Sequence, residues 1–280
     1  MVVFPNCKIN LGLHITAKRL DGYHDLETVF YPIALNDVLE VVRLNEASSL
    51  QNSSIQNIQF TSSGIPIDGD VTNNLCVKAY QLLQRDFPDL PPIQMHLHKI
   101  IPMGAGLGGG SADGAFALSL LQKKFHLTIS EEQMIAYALQ LGSDCPFFVI
   151  NKPCFATGRG EIINPISLDL SDFAFVIVNP RIHISTGWAF NSITPKKPQV
   201  SIKDIIIQPI TTWKNLLIND FELPAIQQFP IIGTIKDTLY DYGAVYSSMT
   251  GSGSTIFGIF HKKSLPEIQF QEDFFVETIL

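Results

Sequence analysis

Ile101-Pro-Met-Gly-Ala-Gly-Leu-Gly-Gly-Gly-Ser-Ala-Asp-Gly-Ala115 places glycine at 104, 106, 108, 109 and 110. Ahead of it, Ile93, Met95 and Leu97 alternate with Gln94, His96 and His98, and polar Lys99 follows. That is the period of a strand. Behind it, Ala115, Phe116, Leu118, Leu120 and Leu121 follow a helical pattern. The expected order is strand, glycine loop, helix, with Ser111 and Asp113 where the helix should begin. Glycine lets the backbone take positive φ and lets a ligand approach the amides. A helix start offers unpaired N–H groups and the positive end of a dipole, which suits a phosphate. The expectation is a nucleotide phosphate cradle. The alternative, a tight strand-to-helix turn, needs one or two glycines rather than five.

The chemical class of the loop is narrowed by what is missing. A Walker A loop requires Gly-Lys-Ser/Thr, and the chain has no Gly-Lys pair. The protein-kinase signatures His-Arg-Asp and Asp-Phe-Gly are absent. Gly104-x-Gly106-x-x-Gly109 fits the dinucleotide fingerprint by letter. A dinucleotide unit, however, closes with a strand ending in an acidic residue about 20 positions on. Here Thr128-Ile-Ser-Glu-Glu-Gln133 stands there and starts another helix.

At 280 residues the chain exceeds one modal domain, so one large or two medium domains are expected. With 46% apolar and 16% charged residues it can bury a sizeable core and is not a disordered chain. The net charge of −7 speaks against a nucleic-acid partner, which wants a basic surface, and leaves a small anionic ligand open. No apolar run reaches membrane-spanning length, and the N-terminus does not resemble a signal or transit peptide. Cys7, Cys76, Cys145 and Cys154 form no Cys-x-x-Cys pair and are expected to be free thiols in the cytoplasm. Asn52-Ser53-Ser54 fits a glycosylation acceptor by letter, which means nothing without secretion.

Along the chain, Lys8, Asn10, Gly12 and His14 alternate with Ile9, Leu11, Leu13 and Ile15, so a half-buried strand with Lys8 and Asn10 on one face is expected. That face is either solvated or aimed at an anionic ligand. Arg19 to Asp25 reads as a turn around Asp21-Gly22, followed by Tyr23 and His24. Strands over 26–35 and 38–44 make the front end look like a β-meander. Ile55, Ile58 and Phe60 are spaced as a weak strand in a polar segment. Asn74 precedes a helix over 75–83 as its cap, and Ser130 with Gln133 forms a capping box for a helix that stops at Gly142. His96 and His98 share a strand face, but a metal site there lacks further ligands. Asp144, before Cys145-Pro-Phe-Phe148, is either a helix cap or a partly desolvated general base. A domain boundary is expected near Asn151-Lys-Pro153. Beyond it come a strand over 173–178, a mixed segment over 191–212, a helical stretch after Asn219-Asp-Phe-Glu222, and two strands over 244–260 joined by a second glycine loop at Gly251 and Gly253.

Three separated pieces, Lys8-Ile-Asn-Leu11, Pro102 to Ser111 and Met249-Thr-Gly-Ser-Gly-Ser254, stand in an order and spacing that resembles the GHMP kinase superfamily from about residue 5 to about residue 260. Asp21-Gly-Tyr-His24 and Leu141-Gly-Ser-Asp-Cys-Pro-Phe-Phe148 are similar to the branch that phosphorylates the 2-hydroxyl of a cytidine-diphosphate-linked methylerythritol in the non-mevalonate isoprenoid pathway. The resemblance implies an α/β (α+β) fold of two lobes, a nucleotide-binding lobe over 1–153 and a second lobe over 154–280, with the active site in the cleft between them. It implies ATP and Mg2+ as cofactors and a small-molecule alcohol as partner, with no nucleic acid and no membrane. By position, Asp144 matches the catalytic base and Lys8 its charged partner. Tyr23, His24 and Phe190 match the cytidine-binding positions, with Trp188 near enough to take the stacking place of Phe190. Asn10 and Thr186 match the substrate pocket, and Gly251 and Gly253 the third motif. Asn74, Leu75 and Lys99 match the nucleotide-base side. Pro102, Met103, Gly104, Ala105, Gly106, Leu107, Gly108, Gly109, Gly110, Ser111 and Ala112 match the phosphate loop, with Ser111 the candidate contact to the metal. Departures are Cys7, where many members carry alanine, and Ser252 and Ser254 in the third motif. Other GHMP kinases, acting on homoserine, mevalonate or galactose, would lack the Tyr23-His24 pair, and an RNA-binding relative of the first lobe would be basic.

Overall fold

The structure, a computed structural model, describes residues 1–44 and 57–280. The expected strand residue Ile55 and the Asn52-Ser53-Ser54 triplet lie outside the described residues. In chain order the strands are β1 (Val2–Val3), β2 (Asn6–Lys18), β3 (His24–Asn36), β4 (Val38–Arg43), β5 (Ile58–Gly64), β6 (Ile93–Lys99), β7 (Cys154–Thr157), β8 (Ile162–Pro165), β9 (Phe173–Asn179), β10 (Tyr246–Met249), β11 (Ile256–His261) and β12 (Phe275–Ile279). The helices are α1 (Leu75–Asp86), α2 (Gly109–Phe125), α3 (Glu131–Leu141), α4 (Cys145–Ile150), α5 (Thr186–Asn191), α6 (Ile202–Ile205), α7 (Trp213–Leu216), α8 (Glu222–Gln228) and α9 (Ile231–Asp241).

Two compact units form, and they do not follow chain order. One comprises Met1–Cys7, Leu35–Met103 and Gly108–Asn151; the other comprises Lys8–Ala34, Gly104–Leu107 and Lys152–Leu280. The last change of unit falls between Asn151 and Lys152, at the segment singled out as a boundary. The earlier changes have no counterpart in a two-part division of the sequence.

The first unit carries a four-stranded sheet in the order β1-β4-β6-β5, with β5 parallel to β6 and the other pairs antiparallel. Its inward face presents Leu39, Val41, Ile93, Met95 and Leu97, all essentially inaccessible. Helix α1 starts as expected: the Asn74 side chain accepts the Cys76 N–H at 2.9 Å. A cap of this kind is worth about 1 kcal/mol. Helix α1 lies close against α2 because Gly114 offers no side chain; a Cβ there would stand 2.8 Å from that of Leu75. The capping box of α3 is present, with Ser130 Oγ accepting the Gln133 N–H and Gln133 Oε1 accepting the Ser130 N–H.

The second unit has two sheets, β2-β3-β7-β8 and β10-β11-β9-β12. Its core joins Leu13 and Ile15 of β2 to Val176 and Val178 of β9, Ile235 and Leu239 of α9, and Met249 and Ile256 beside the second glycine loop. Strand β12 pairs with residues 175–179 of β9 and lies beyond the last element expected from the sequence.

Two expectations are corrected. The front end is not a meander: β1 pairs with β4 and β2 with β3, so the chain changes sheet at Asp37. Pro5, which has no N–H to give a ladder, breaks β1 from β2. Strand β2 is not half-buried either. Lys8 and Asn10 are buried along with Ile9 and Leu11, because the polar side chains bond to one another instead of to water. No helix among the described residues is long and apolar enough to cross a membrane.

Candidate functional site

In the first unit, β6 leads into the glycine loop. Its alternation turns Ile93, Met95, Leu97 and Lys99 inward and His96 and His98 outward. The two histidines bond to Thr61 and Ser63 of β5, not to acidic or thiol neighbours. Among the described residues no group of three or more His, Cys, Asp or Glu could hold a metal ion.

Helix α2 begins at Gly109, so Ser111 and Asp113 lie inside its first and second turns, and neither caps it. The cap position is Gly108, at φ 72°, with no side-chain hydrogen bond to the first turn. The opening N–H groups are thus left without a side-chain acceptor, the condition for binding an anion there. Gly109 is required for packing: a Cβ would stand 2.9 Å from Ile101 Cγ2 and 3.0 Å from Lys99 Nζ. Gly110 is exposed and a Cβ there would meet nothing within 4 Å, so its absence leaves open space at the helix start. Ser111 hydrogen-bonds with the Cys145 thiol, which burial pushes up to about 12.

Beside the helix start lies a cavity of about 300 Å³ that brings together Asn74, Leu75, Lys99, Met103 and Gly110 with apolar Phe60 and Val71. Thr61, Ser62, Asp68, Asp70, Asn73 and Asp113 also face it, so the lining is mixed, and its volume lies at the small end of ligand sites. Lys99 contributes its stem, since its ammonium is committed elsewhere: Nζ donates to Asp37 Oδ2 at 2.5 Å and to Asp113 Oδ2 at 2.7 Å. Burial works against the Lys99 charge, but Asp113 and Asp37 outweigh it and hold its pKa above the usual value. Burial also pushes the Asp113 carboxyl up to about 7, Lys99 opposing and Asp37 reinforcing. Two carboxylates here share one ammonium. Asp37 was not singled out from the sequence, and Asp113 was named only at the expected helix start; the inward phase of Lys99 along β6 was the available signal.

Asp144 occupies the cap position of α4, half-buried, and its side chain makes no capping hydrogen bond. Helix α4 buries Cys145, Pro146, Phe147 and Phe148 against α2 and α3. The position is that of a cap and the chemistry is not.

In the second unit, Lys8 is 4% exposed and lies over the Phe30 ring at 4.7 Å. Its Nζ donates to Asn10 Oδ1 at 2.6 Å. Asn10 Nδ2 donates to Thr28 Oγ1, and that hydroxyl donates to the Gly12 carbonyl. The Asn10 N–H donates to Thr250 Oγ1 at 3.0 Å, and Thr250 in turn donates to the Gly106 carbonyl at 3.1 Å. Thr250 therefore ties the Lys8–Asn10 strand to the middle of the first glycine loop. The two glycine loops touch: a Cβ on Gly106 would lie 2.1 Å from the Thr250 oxygen, and one on Gly251 would lie 3.0 Å from the Gly106 Cα. Asn219 Nδ2 donates to the Met249 and Gly251 carbonyls and sets the second loop. Thr28, Thr250 and Asn219 were not assigned a role at the sequence level, since nothing local marks these polar residues as buried.

Tyr23 and His24 follow the turn as expected, with Gly22 at φ 86°. Tyr23 is exposed, its ring 4.8 Å from the Arg159 guanidinium. His24 stacks on Phe190 with ring centres 4.8 Å apart and planes 21° apart, whereas Trp188 packs edge-on against Phe229. Thr186 opens α5, which Ser185 caps. The second unit thus brings His24 and Phe190 together, and Lys8, Asn10 and Gly251 around Thr250.

Residues 74–152 match the family described as GHMP kinases N terminal domain, and residues 207–271 match GHMP kinases C terminal. The chain is 48% identical to 4-diphosphocytidyl-2-C-methyl-D-erythritol kinase of Bacteroides fragilis, over 100% of both chains. It is 51% identical to the protein of that name from Azobacteroides pseudotrichonymphae, over 95% of this chain and 96% of the relative. A crystal structure of 4-(cytidine 5'-diphospho)-2C-methyl-D-erythritol kinase superposes with a TM-score of 0.77 at 29% identity, covering 92% of this chain and 90% of that one. Methanococcus jannaschii mevalonate kinase, at 12% identity and a TM-score of 0.68 over 94% and 92%, shares the fold. The ordered loops, the uncapped helix start and identity near one half along the whole length agree: the chain belongs to the GHMP kinases and, within them, to the 4-diphosphocytidyl-2-C-methyl-D-erythritol kinase family.

Proposed function

We propose that this chain transfers the γ-phosphoryl group of ATP to the 2-hydroxyl of 4-diphosphocytidyl-2-C-methyl-D-erythritol, a step of the non-mevalonate isoprenoid pathway. The observation that carries the reading is the identity of about one half to kinases of that name over the full chain. Phosphoryl transfer asks the protein chiefly for positioning and for neutralisation of charge. The cavity bounded by Leu75 and Met103 takes the adenine, and the first-turn amides of α2 take the phosphates. Asp144 accepts the proton of the attacking hydroxyl. Lys8, buried and fixed by Asn10, supplies positive charge to the developing alkoxide. Tyr23, His24 and Phe190 take the cytosine, and Asn10, Thr186, Gly251 and Gly253 line the acceptor side.

Magnesium belongs to this reading as an ion carried in on the phosphates. It keeps most of its waters and needs few protein ligands. That fits a chain whose glycine loop offers one hydroxyl, Ser111, and no carboxylate cage among the described residues. When bound, the ion neutralises phosphate charge. Buried free thiols go with a cytoplasmic location.

The test is ADP release with ATP and 4-diphosphocytidyl-2-C-methyl-D-erythritol, with phosphorus NMR of the product. The expected result is turnover with a new phosphomonoester resonance. A folded protein that binds ATP and does not turn over this alcohol would overturn the substrate assignment.

A further inference from the structure

Asp37, Lys99 and Asp113 form a buried charge cluster to which the transfer step assigns no role, although Lys99 and Asp113 also line the nucleotide cavity. Their exposures are 0%, 2% and 3%, so all three charges have left water. Removing an ion from water costs several kcal/mol, and apolar side chains of similar volume often serve stability as well or better. Stability alone is therefore a weak reason for the cluster. Its bonds suggest another. Asp37 gives one oxygen to Lys99 Nζ and the other to the N–H groups of Ile100 and Ile101, at 2.6 and 2.9 Å. Those are the first residues of the glycine loop. Asp113 stands in α2, beyond the far end of the loop, and takes the same ammonium through Oδ2. Its Oδ1 is buried without a hydrogen-bond partner, so its placement is set by Lys99 and the helix. The ammonium also lies beside the helix start, 3.0 Å from where a Gly109 Cβ would be. One cation thus ties the strand end, through Asp37, to the helix start, through Asp113.

We propose that Asp37 and Asp113, acting through Lys99, are positioning residues for the nucleotide: they fix the two ends from which the phosphate loop hangs, so that its amides are set before ATP arrives. The proposal rests on the reading of this cavity and loop as the ATP site. Preorganised donors pay no reorganisation cost on binding, and small misplacements are expensive.

The experiment compares Asp113→Asn, which is isosteric, with the triple variant Asp37→Asn/Lys99→Met/Asp113→Asn, which removes all charge. Calorimetric titration with a non-hydrolysable ATP analogue and magnesium gives Kd. Thermal melting gives Tm, and steady-state assays give KM for ATP and kcat. The triple variant is expected to melt within about 5 °C of the parent, as neutralised buried clusters often do. Its Kd and KM for ATP are expected to rise about tenfold or more, with kcat at saturating ATP much less affected. Asp113→Asn is expected to show the same split to a smaller degree. Folded variants that bind the analogue within about twofold of the parent would overturn the proposal. So would a loss of fold in Asp113→Asn, which would make the cluster a stability element. A parent protein that does not bind the analogue at all would instead sink the nucleotide reading.

Discussion

Asp144 stands at the cap position of a short helix and makes no capping bond there. An aspartate there normally accepts a first-turn N–H, so a cap-position carboxylate that does not cap, at a motif position, is compatible with a general base. Asp144→Asn is expected to lower kcat by about 10²–10⁴-fold with an unchanged melting curve. A variant with near-normal kcat would remove the residue from the mechanism. Tyr23 is 56% exposed, so truncating it should leave the fold intact. Tyr23→Ala should raise KM for the cytidyl substrate and leave KM for ATP in place; an equal rise in both would point to damage elsewhere. At this scale the chain was legible where local spacing sets the placement, as in the shared face of Lys8 and Asn10 and the turn that precedes Tyr23 and His24. It was not legible at Asp37, Thr250 or Asn219. Polar residues beside turns look like solvated surface, and only contacts across long stretches, 240 residues between Asn10 and Thr250, reveal them as buried.

The strand, glycine loop and helix come out in the expected order, with the helix starting at Gly109, earlier than expected, because period-two and helical patterns and the glycines point to one succession. The glycines nevertheless do different jobs, and substitution separates them. Gly106 has φ 78° and the Thr250 carbonyl oxygen against its Cα, so Gly106→Ala should cost about 2 kcal/mol or more and lower the unfolding midpoint. Gly110 is helical and faces open space, so Gly110→Ala should hold or raise stability by about 0.5–1 kcal/mol. KM for ATP should rise in that variant, because the methyl group occupies ligand space. A Gly110→Ala variant with unchanged KM would show that no phosphate approaches there. Pairing between elements was less legible than the elements. The alternation of β2 gives a strand and one apolar face, but burial of the polar face depends on partners far along the chain. The pairing of β1 with β4 is likewise invisible in either segment alone.

Over the whole molecule the four thiols are buried, and burial raises those of Cys76, Cys145 and Cys154, the latter two to about 12 and about 11. At about pH 8 the native protein should release no colour from Ellman's reagent, and denaturant should expose all four thiols. Rapid labelling of the native protein would show an opening of the fold at the labelled cysteine. The interleaving of the two units has a different consequence. The chain passes between them five times, after Cys7, Ala34, Met103, Leu107 and Asn151. A cut after Pro153 therefore releases no finished body. The piece 154–280 keeps β7 and loses the β3 residues Thr28, Val29 and Phe30 that pair with it, leaving a raw sheet edge. Each half made alone should aggregate, and the halves made together should recover soluble protein. A soluble, cooperatively melting 154–280 would contradict this. Neither unit is a contiguous stretch of sequence, so neither could be gained, lost or exchanged between chains by a single end-to-end joining of genes.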